Sequence, residues 1–333
     1  MGSIEEPATM GAKILITGAG GFIGQALATA LLQDPSTTSL ILTDITAPSI
    51  PKNASHSKCN IQAVAADLTN PDVCAQLFTP DITHVYLLHG IMSGAAEANL
   101  DLGLRVNIDS MRHILDVLRR QQRQAPIPIV FPSSLAVFGP AKDGEVVTEL
   151  TTPLPQSSYG AQKSIVETLL NDFSRRGLVD ARIVRLPTIV VRPGKPTGAA
   201  SSFCSGIIRE PLSGAVGVLP VGKDTKLWIC SARTIIRNLI KGKDIPTAKF
   251  QGRSRIVNLP GSTVTVQQML DALKTVGGQE ALDLVKEEQD ENVSRIVQSW
   301  PAEFDTKLAY ELGFEEDVPT EQTVRDYVED YMT

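Results

Sequence analysis

Metal-binding and disulfide signatures are what this sequence of 333 residues lacks. Its four cysteines, Cys59, Cys74, Cys204 and Cys230, fall in no CxxC or zinc-like spacing. Scattered thiols of this kind read as reduced, structural side chains of an intracellular protein. The four histidines, His56, His84, His89 and His113, form no HExxH or other metal spacing. No apolar stretch is long enough to cross a bilayer. The opening MGSIEEPATM is acidic and has no apolar run, which argues against a secretory signal. Glu6 stands where N-myristoylation wants Ser or Thr. There is no excess of positive charge: the net charge is −6, which gives no general electrostatic reason to bind nucleic acid or acidic membranes. LPGSTVT near 259–265 lacks the GxSxG spacing of a nucleophile elbow. The expectation is a cytoplasmic protein with a disordered tail over 1–11, no metal, and neither a nucleic-acid nor a membrane partner.

What is present is ordinary globular material, 42% hydrophobic and 20% charged. The length suits one large α/β unit with an appended lobe. Through the first half, short apolar runs alternate with helical patterns. AKILITG (12–18), SLILTDI (39–45), IQAVAADL (61–68), HVYLLHG (84–90), IPIVFPSS (127–134) and ARIVRLPTIV (181–190) read as strands. Helical patterns cover 22–33, 71–78 and a long stretch of 96–122, and another follows the loop after 134. This alternation predicts an α/β fold: a Rossmann-type doubly wound parallel sheet over 12–190. After 190, glycine and proline become dense and strands short. Residues 191–333 are expected to form a smaller C-terminal α/β lobe for substrate, with some segments packing back on the first domain.

TGAGGFIG joins the first strand to the first helix with the spacing Gly18-x-x-Gly21-x-x-Gly24. Glycine here permits a tight turn and close backbone approach to a pyrophosphate, and the helix N-terminus offers free N–H groups. Asp44 ends the second strand about 20 residues beyond Gly24. Its carboxylate can accept from adenosine ribose hydroxyls and repel a 2′-phosphate, unless it is simply a solvated turn residue. Asp67-Leu68 ends the third run, where it can meet the adenine or stand as an exposed strand end.

SSYGAQKS (157–164) sets Tyr159 and Lys163 four apart, on one face of a helix. Alone, the pair reads as a helix-surface contact. Behind a nucleotide loop it reads as a phenol whose pKa a nearby ammonium lowers, so that it can take a hydroxyl proton. FPSSLAVFG offers Ser133 or Ser134 at a strand's carboxyl end to hold the reacting hydroxyl.

Together these motifs resemble the extended short-chain dehydrogenase/reductase superfamily, also called the NAD-dependent epimerase/dehydratase family, over most of the chain. The resemblance implies NAD as cofactor and assigns the third catalytic role to Ser134, five before Gly139, beside Tyr159 and Lys163. It implies cofactor contacts from Gly18, Gly21, Phe22, Ile23, Gly24, Asp44, Asp67, Leu68, Leu88, Asn107, Tyr159, Lys163 and Pro187. AEANLDLGLRVNIDS, WPAEFDTKLAYELGF and the long segment 158–214 resemble, more narrowly, the D-erythronate dehydrogenases. That implies oxidation of the C2 hydroxyl of a four-carbon sugar acid. The alternatives are a nucleotide-sugar epimerase or dehydratase with tightly held NAD, and a non-catalytic NAD-sensing protein. The chain departs from the pattern where His89 replaces a small residue, Phe138 a tyrosine and Thr188 an asparagine.

A sugar acid needs a cation for its carboxylate, and Arg192 and Arg209 stand where the second lobe leaves the sheet. Arg209 is the favoured choice, or else it is a surface ion pair. Ser93, Ser134, Tyr159 and Ser202 complete the expected substrate set. Ile165, Leu169 and Phe173 form an apolar stripe that by default faces the sheet. The resemblance implies a homodimer through helices of this region.

Overall fold

Continuous apolar runs make buried strands, and the strands of this chain pair side by side in parallel. In the computed structural model, which describes residues 11–142, 144–196 and 198–332, the first half follows the predicted alternation. Its elements are β1 (Ala12–Thr17), α1 (Phe22–Leu31), β2 (Thr37–Asp44), β3 (Asn60–Ala65), α2 (Pro71–Leu77) and β4 (His84–Leu87). Then come α3 (Ser93–Ala98), α4 (Leu100–Leu104), α5 (Ser110–Arg120), β5 (Pro128–Ser134), α6 (Ser158–Arg175), β6 (Asp180–Leu186) and β7 (Thr188–Val190). The tail expected over 1–11 lies, save Gly11, outside the described residues.

The second half supplies α7 (Ser202–Leu212), β8 (Gly217–Leu219), β9 (Lys226–Ser231), α8 (Ala232–Asp244), β10 (Ile256–Asn258) and β11 (Ser262–Thr265). It ends with α9 (Val266–Asp283), β12 (Val285–Glu287), α10 (Glu291–Gln298), α11 (Lys307–Leu312) and α12 (Thr320–Tyr331).

The main sheet has seven strands in the order β10-β6-β5-β4-β1-β2-β3, all parallel. This is the doubly wound arrangement expected from the sequence. The strand order reverses between β1 and β4, and the crevice beyond their carboxyl ends is where such sheets bind ligands. One face of the sheet packs Leu27 and Leu31 of α1 with Ile236 and Leu239 of α8. The other packs Cys74 of α2, Leu115 of α5 and Val166 and Leu170 of α6. A separate core lies among α7, α9 and α12, around Ile207, Leu270, Leu273 and Val324. The lobe's small sheets run β11-β9-β7 and β12-β8.

Three expectations are corrected. The run 181–190 is two strands, because Pro187 has no N–H to continue the ladder; β7 leaves the main sheet and joins the lobe's. The long helical pattern of 96–122 is broken at Asn99, whose side chain caps α4, and again at a π-helical turn, Arg105–Asp109. The third strand stops at Ala65, short of Asp67. Among the described residues, no helix is long and apolar enough to cross a membrane.

Candidate active site

The cofactor cradle is built on the β1–α1 turn. Gly21 N–H donates to the carbonyl of Gly18 at 3.1 Å and closes the loop. Gly24 lies under it: a Cβ there would stand 2.5 Å from Gly18 O and 2.6 Å from Ala19 Cα. The N-terminus of α1 has no side-chain cap and no acidic residue in its first turn, so its amides and dipole are left for an anion. Phe22 and Ile23 are half-buried in that turn. Asp44 ends β2 and accepts from Gly20 N at 3.0 Å and from Ile45 N at 2.8 Å. This carboxylate is therefore held at the loop's edge. These residues fit a dinucleotide, with its pyrophosphate on α1 and a ribose at Asp44.

The remaining expected cofactor positions divide. Leu88 lies at the crevice, packed on the sheet's α1 face. Pro187 is buried and lines a cavity that it shares with Tyr159. Asp67 organises its own turn, accepting from Thr69 N at 3.0 Å and Thr69 Oγ1 at 2.7 Å, while Leu68 is buried in the core. Asn107 is buried and bonded within the chain. Its Oδ1 accepts from Ile91 N at 2.9 Å, and its Nδ2 donates to Ile91 O at 3.1 Å and Gln162 Oε1 at 2.7 Å. Its polar atoms are thus engaged in stapling the β4 loop to α6.

Tyr159 and Lys163 are set by the start of α6. Ser157 caps that helix, its Oγ accepting from Gly160 N at 3.2 Å. The helix can come this close to the end of β5 because Gly160 has no side chain; a Cβ would stand 2.0 Å from Ala136 O. Lys163 Nζ donates to the carbonyl of Pro132 at 2.8 Å and lies 4.4 Å from the Phe131 ring centroid and 5.7 Å from that of Tyr159. Burial pulls its pKa down to about 8, opposed by Glu167 one turn on. Burial pushes the Tyr159 phenol up to about 12, opposed by Arg192. The sequence reading expects a lowered phenol pKa. In the protein alone, loss of solvation outweighs the charge of Arg192.

A cavity of ≈ 110 Å³ opens here, at the carboxyl ends of β5 and β6, and Ser133, Ser134, Tyr159 and Arg192 all line it. Ser134 Oγ accepts from Ala136 N at 3.1 Å, whereas Ser133 Oγ is buried without a partner among the described residues. Ser93 is in the lining and accepts from Ala200 N at 3.3 Å, tying α3 to the loop before α7.

Two expected substrate residues stand outside this lining, and a neighbour of each stands in it. Ser201, not Ser202, is in the lining; Ser202 begins α7 beside it. Arg209 is not in the lining, and its guanidinium is engaged elsewhere. Nη1 donates to Arg192 O at 2.7 Å, and Nη2 pairs with Glu210 at 2.5 Å. Arg192 is the cavity's cation. Thr188 and Trp300, not singled out from sequence as site residues, also line it. Their segments were conspicuous, but nothing in their spacing marks them as facing a cavity. A larger open cavity of ≈ 340 Å³ shares Trp300 in its lining but not Tyr159. Cys204 is buried and its thiol is pushed up to about 12, so it stays neutral.

A sequence profile of the NAD dependent epimerase/dehydratase family matches residues 14–245. The chain belongs to that family. Its cofactor is NAD. The chain is 43% identical to a D-erythronate dehydrogenase of Cupriavidus necator, over 96% of this chain and 98% of that protein. It is 40% identical to a D-erythronate dehydrogenase of Haemophilus influenzae, over 95% and 99%. A crystal structure of a nucleoside-diphosphate-sugar epimerase from Agrobacterium tumefaciens superposes with a TM-score of 0.89 at 36% identity, covering 97% of this chain and 95% of that one.

Proposed function

We propose that the protein is an NAD-dependent dehydrogenase that oxidises the C2 hydroxyl of a small sugar acid, D-erythronate or a close analogue, to the 2-keto acid. The observation that carries this reading is the shared cavity: a phenol, a strand-end serine and an arginine line one space at the carboxyl ends of β5 and β6. When bound, NAD supplies the hydride acceptor for the C2 hydrogen. Tyr159 takes the hydroxyl proton. Lys163 and the cationic nicotinamide offset the burial that otherwise keeps the phenol neutral. Ser134 holds the reacting oxygen, with Ser133 beside it. Segment 12–190 holds NAD, and 191–333 supplies Arg192, Ser201 and Trp300 to the substrate.

The dehydrogenase reading is favoured over the epimerase one by the two relatives of 40% and 43% identity, both D-erythronate dehydrogenases matched over nearly their whole length. The experiment is the purified protein with NAD and a panel of four- to six-carbon aldonic acids, followed at the NADH absorbance. NADH formed with a four-carbon acid is the expected result. No NADH with any acid overturns the reading.

The functional unit we propose is a homodimer. Leu100 and Leu104 of α4 and Ile165 of α6 are exposed apolar side chains, 54%, 39% and 49% accessible, on helices that pack against each other. Of the predicted stripe on α6, Leu169 and Phe173 pack on the core and Ile165 does not. Light scattering should give twice the chain mass, and Ile165→Glu should lower it to one; a monomeric wild type sinks the proposal.

A further inference from the structure

We infer that Arg192 is the specificity-determining residue of the site: it selects acids over neutral polyols by pairing with the substrate carboxylate beside Tyr159. The inference rests on the dehydrogenase reading and deepens it. Among the described residues, the cavity lining holds one cation and no acid; its other polar side chains are hydroxyls and the Trp300 indole. Arg192 is half-buried, which lowers its pKa, and among the described residues its ionisable neighbours are Cys204, Arg209 and Tyr159, none of them a carboxylate. A desolvated guanidinium without a counter-ion is costly, and an anionic ligand offsets that cost.

The neighbouring arginine removes the alternative. Arg209 has its own carboxylate in Glu210 and uses its other arm to hold the carbonyl of Arg192. Ser205 Oγ accepts from Arg192 N at 3.0 Å, so the backbone of Arg192 is gripped on both sides. Both bonds of its side chain to described residues run through Nη2, to Ser201 O at 2.9 Å and Ser201 Oγ at 3.2 Å. The guanidinium is thereby fixed in orientation, with its remaining donors uncommitted among the described residues, the condition for planar recognition of a carboxylate. In a 2-hydroxy acid the carboxylate is bonded to the reacting carbon. Its anchor must therefore lie next to the proton acceptor, and Arg192 is close enough to Tyr159 to pull on its pKa. Arg209 and Ser201 are positioning residues for this anchor.

The test compares D-erythronate with its neutral amide. Wild type should prefer the acid by about 100-fold in kcat/KM, the scale of a charged hydrogen-bonded pair. In Arg192→Met the acid-to-amide ratio should collapse toward one, chiefly through KM, and Arg192→Lys should restore part of it. Unchanged NAD affinity in a fluorescence titration shows that the variants are folded. Arg192→Met that turns over erythronate and keeps the acid preference overturns the inference while the dehydrogenase reading stands. A wild type that forms no NADH from any acid overturns both.

Discussion

Lys163 gives its ammonium to the carbonyl of Pro132 at 2.8 Å, one turn along α6 from Tyr159 and one residue before the serine pair that ends β5. The bond ties the helix that bears Tyr159 to the strand that bears Ser133 and Ser134. It also keeps a cation 5.7 Å from the phenol ring.

The first prediction concerns that phenol. Tyr159→Phe should lose turnover by roughly 10²–10⁴-fold, the usual weight of a positioned acid–base group. NAD affinity should change little. In wild type, kcat/KM for the alcohol should rise with pH, because the active form is the phenolate and burial holds the phenol at about 12 in the protein alone. Removing a neighbouring cation raises a phenol's pKa, so Lys163→Met should move that rise to higher pH. A Tyr159→Phe enzyme with full activity would exclude the proton role.

Asp44 should decide between the two nicotinamide cofactors. It accepts hydrogen bonds from Gly20 and Ile45, which fixes its carboxylate at the phosphate loop. Asp44→Ser removes charge repulsion toward a 2′-phosphate and charged acceptors for the ribose. KM for NAD should rise about 10–100-fold, and the preference for NAD over NADP should shrink. The measurement is kcat/KM with each cofactor; an unaltered ratio would place the ribose elsewhere.

A buried ion pair joins α6 to β6. Arg185 of β6 donates to both oxygens of Glu167, at 2.9 and 2.7 Å, and all but 2% of each side chain is shielded. The guanidinium also lies 4.6 Å from the Phe138 ring. Arg185→Met leaves Glu167 charged and unpaired, and should cost roughly 3–5 kcal/mol. The paired replacement Arg185→Met with Glu167→Leu should recover most of it. Urea midpoints of the three proteins decide the matter; equal losses in single and double variants would show that shape, not charge, matters here.

What the sequence made legible, and what it hid, follows from which interactions are local. The strands of the doubly wound sheet are continuous apolar runs, and Gly18, Gly21 and Gly24 mark the turn between the first strand and helix. ARIVRLPTIV is equally continuous, yet Pro187 sends its two halves to different sheets. The choice between Arg192 and Arg209 was hidden for a different reason. Both precede or lie on one helix, and only the packing of α7 turns Arg209 toward the Arg192 carbonyl. The burial that raises the Tyr159 pKa is likewise a tertiary property, invisible in a Tyr–Lys spacing.

His89 shows how far such a hidden contact reaches, and it supplies the last prediction. Its ring bridges the ends of the crevice: Nδ1 lies 2.7 Å from Thr17 Oγ1, next to the phosphate loop, and Nε2 lies 2.8 Å from Ser110 Oγ on α5. The Ser110 hydroxyl donates to Val106 O at 2.5 Å, so it accepts from Nε2–H. With the ring neutral, the proton sits on Nε2 and Nδ1 accepts from the Thr17 hydroxyl at 2.7 Å, a closer acceptor for that hydroxyl than Tyr86 O at 3.2 Å. Burial, with the charge of Lys163 adding to it, holds the pKa down to about 3, against 6.5 for a free imidazole. Between those values the unfolded chain binds the proton and the folded one does not. The contribution to stability is therefore complete above pH 6.5 and is lost as pH falls toward 3, on the order of 5 kcal/mol across the window. His89→Gln, which has a donor and an acceptor but does not titrate, should flatten the acid limb of the urea midpoint between pH 6.5 and 4. If the variant's midpoint falls with the wild-type slope, His89 is not the group whose protonation the fold resists.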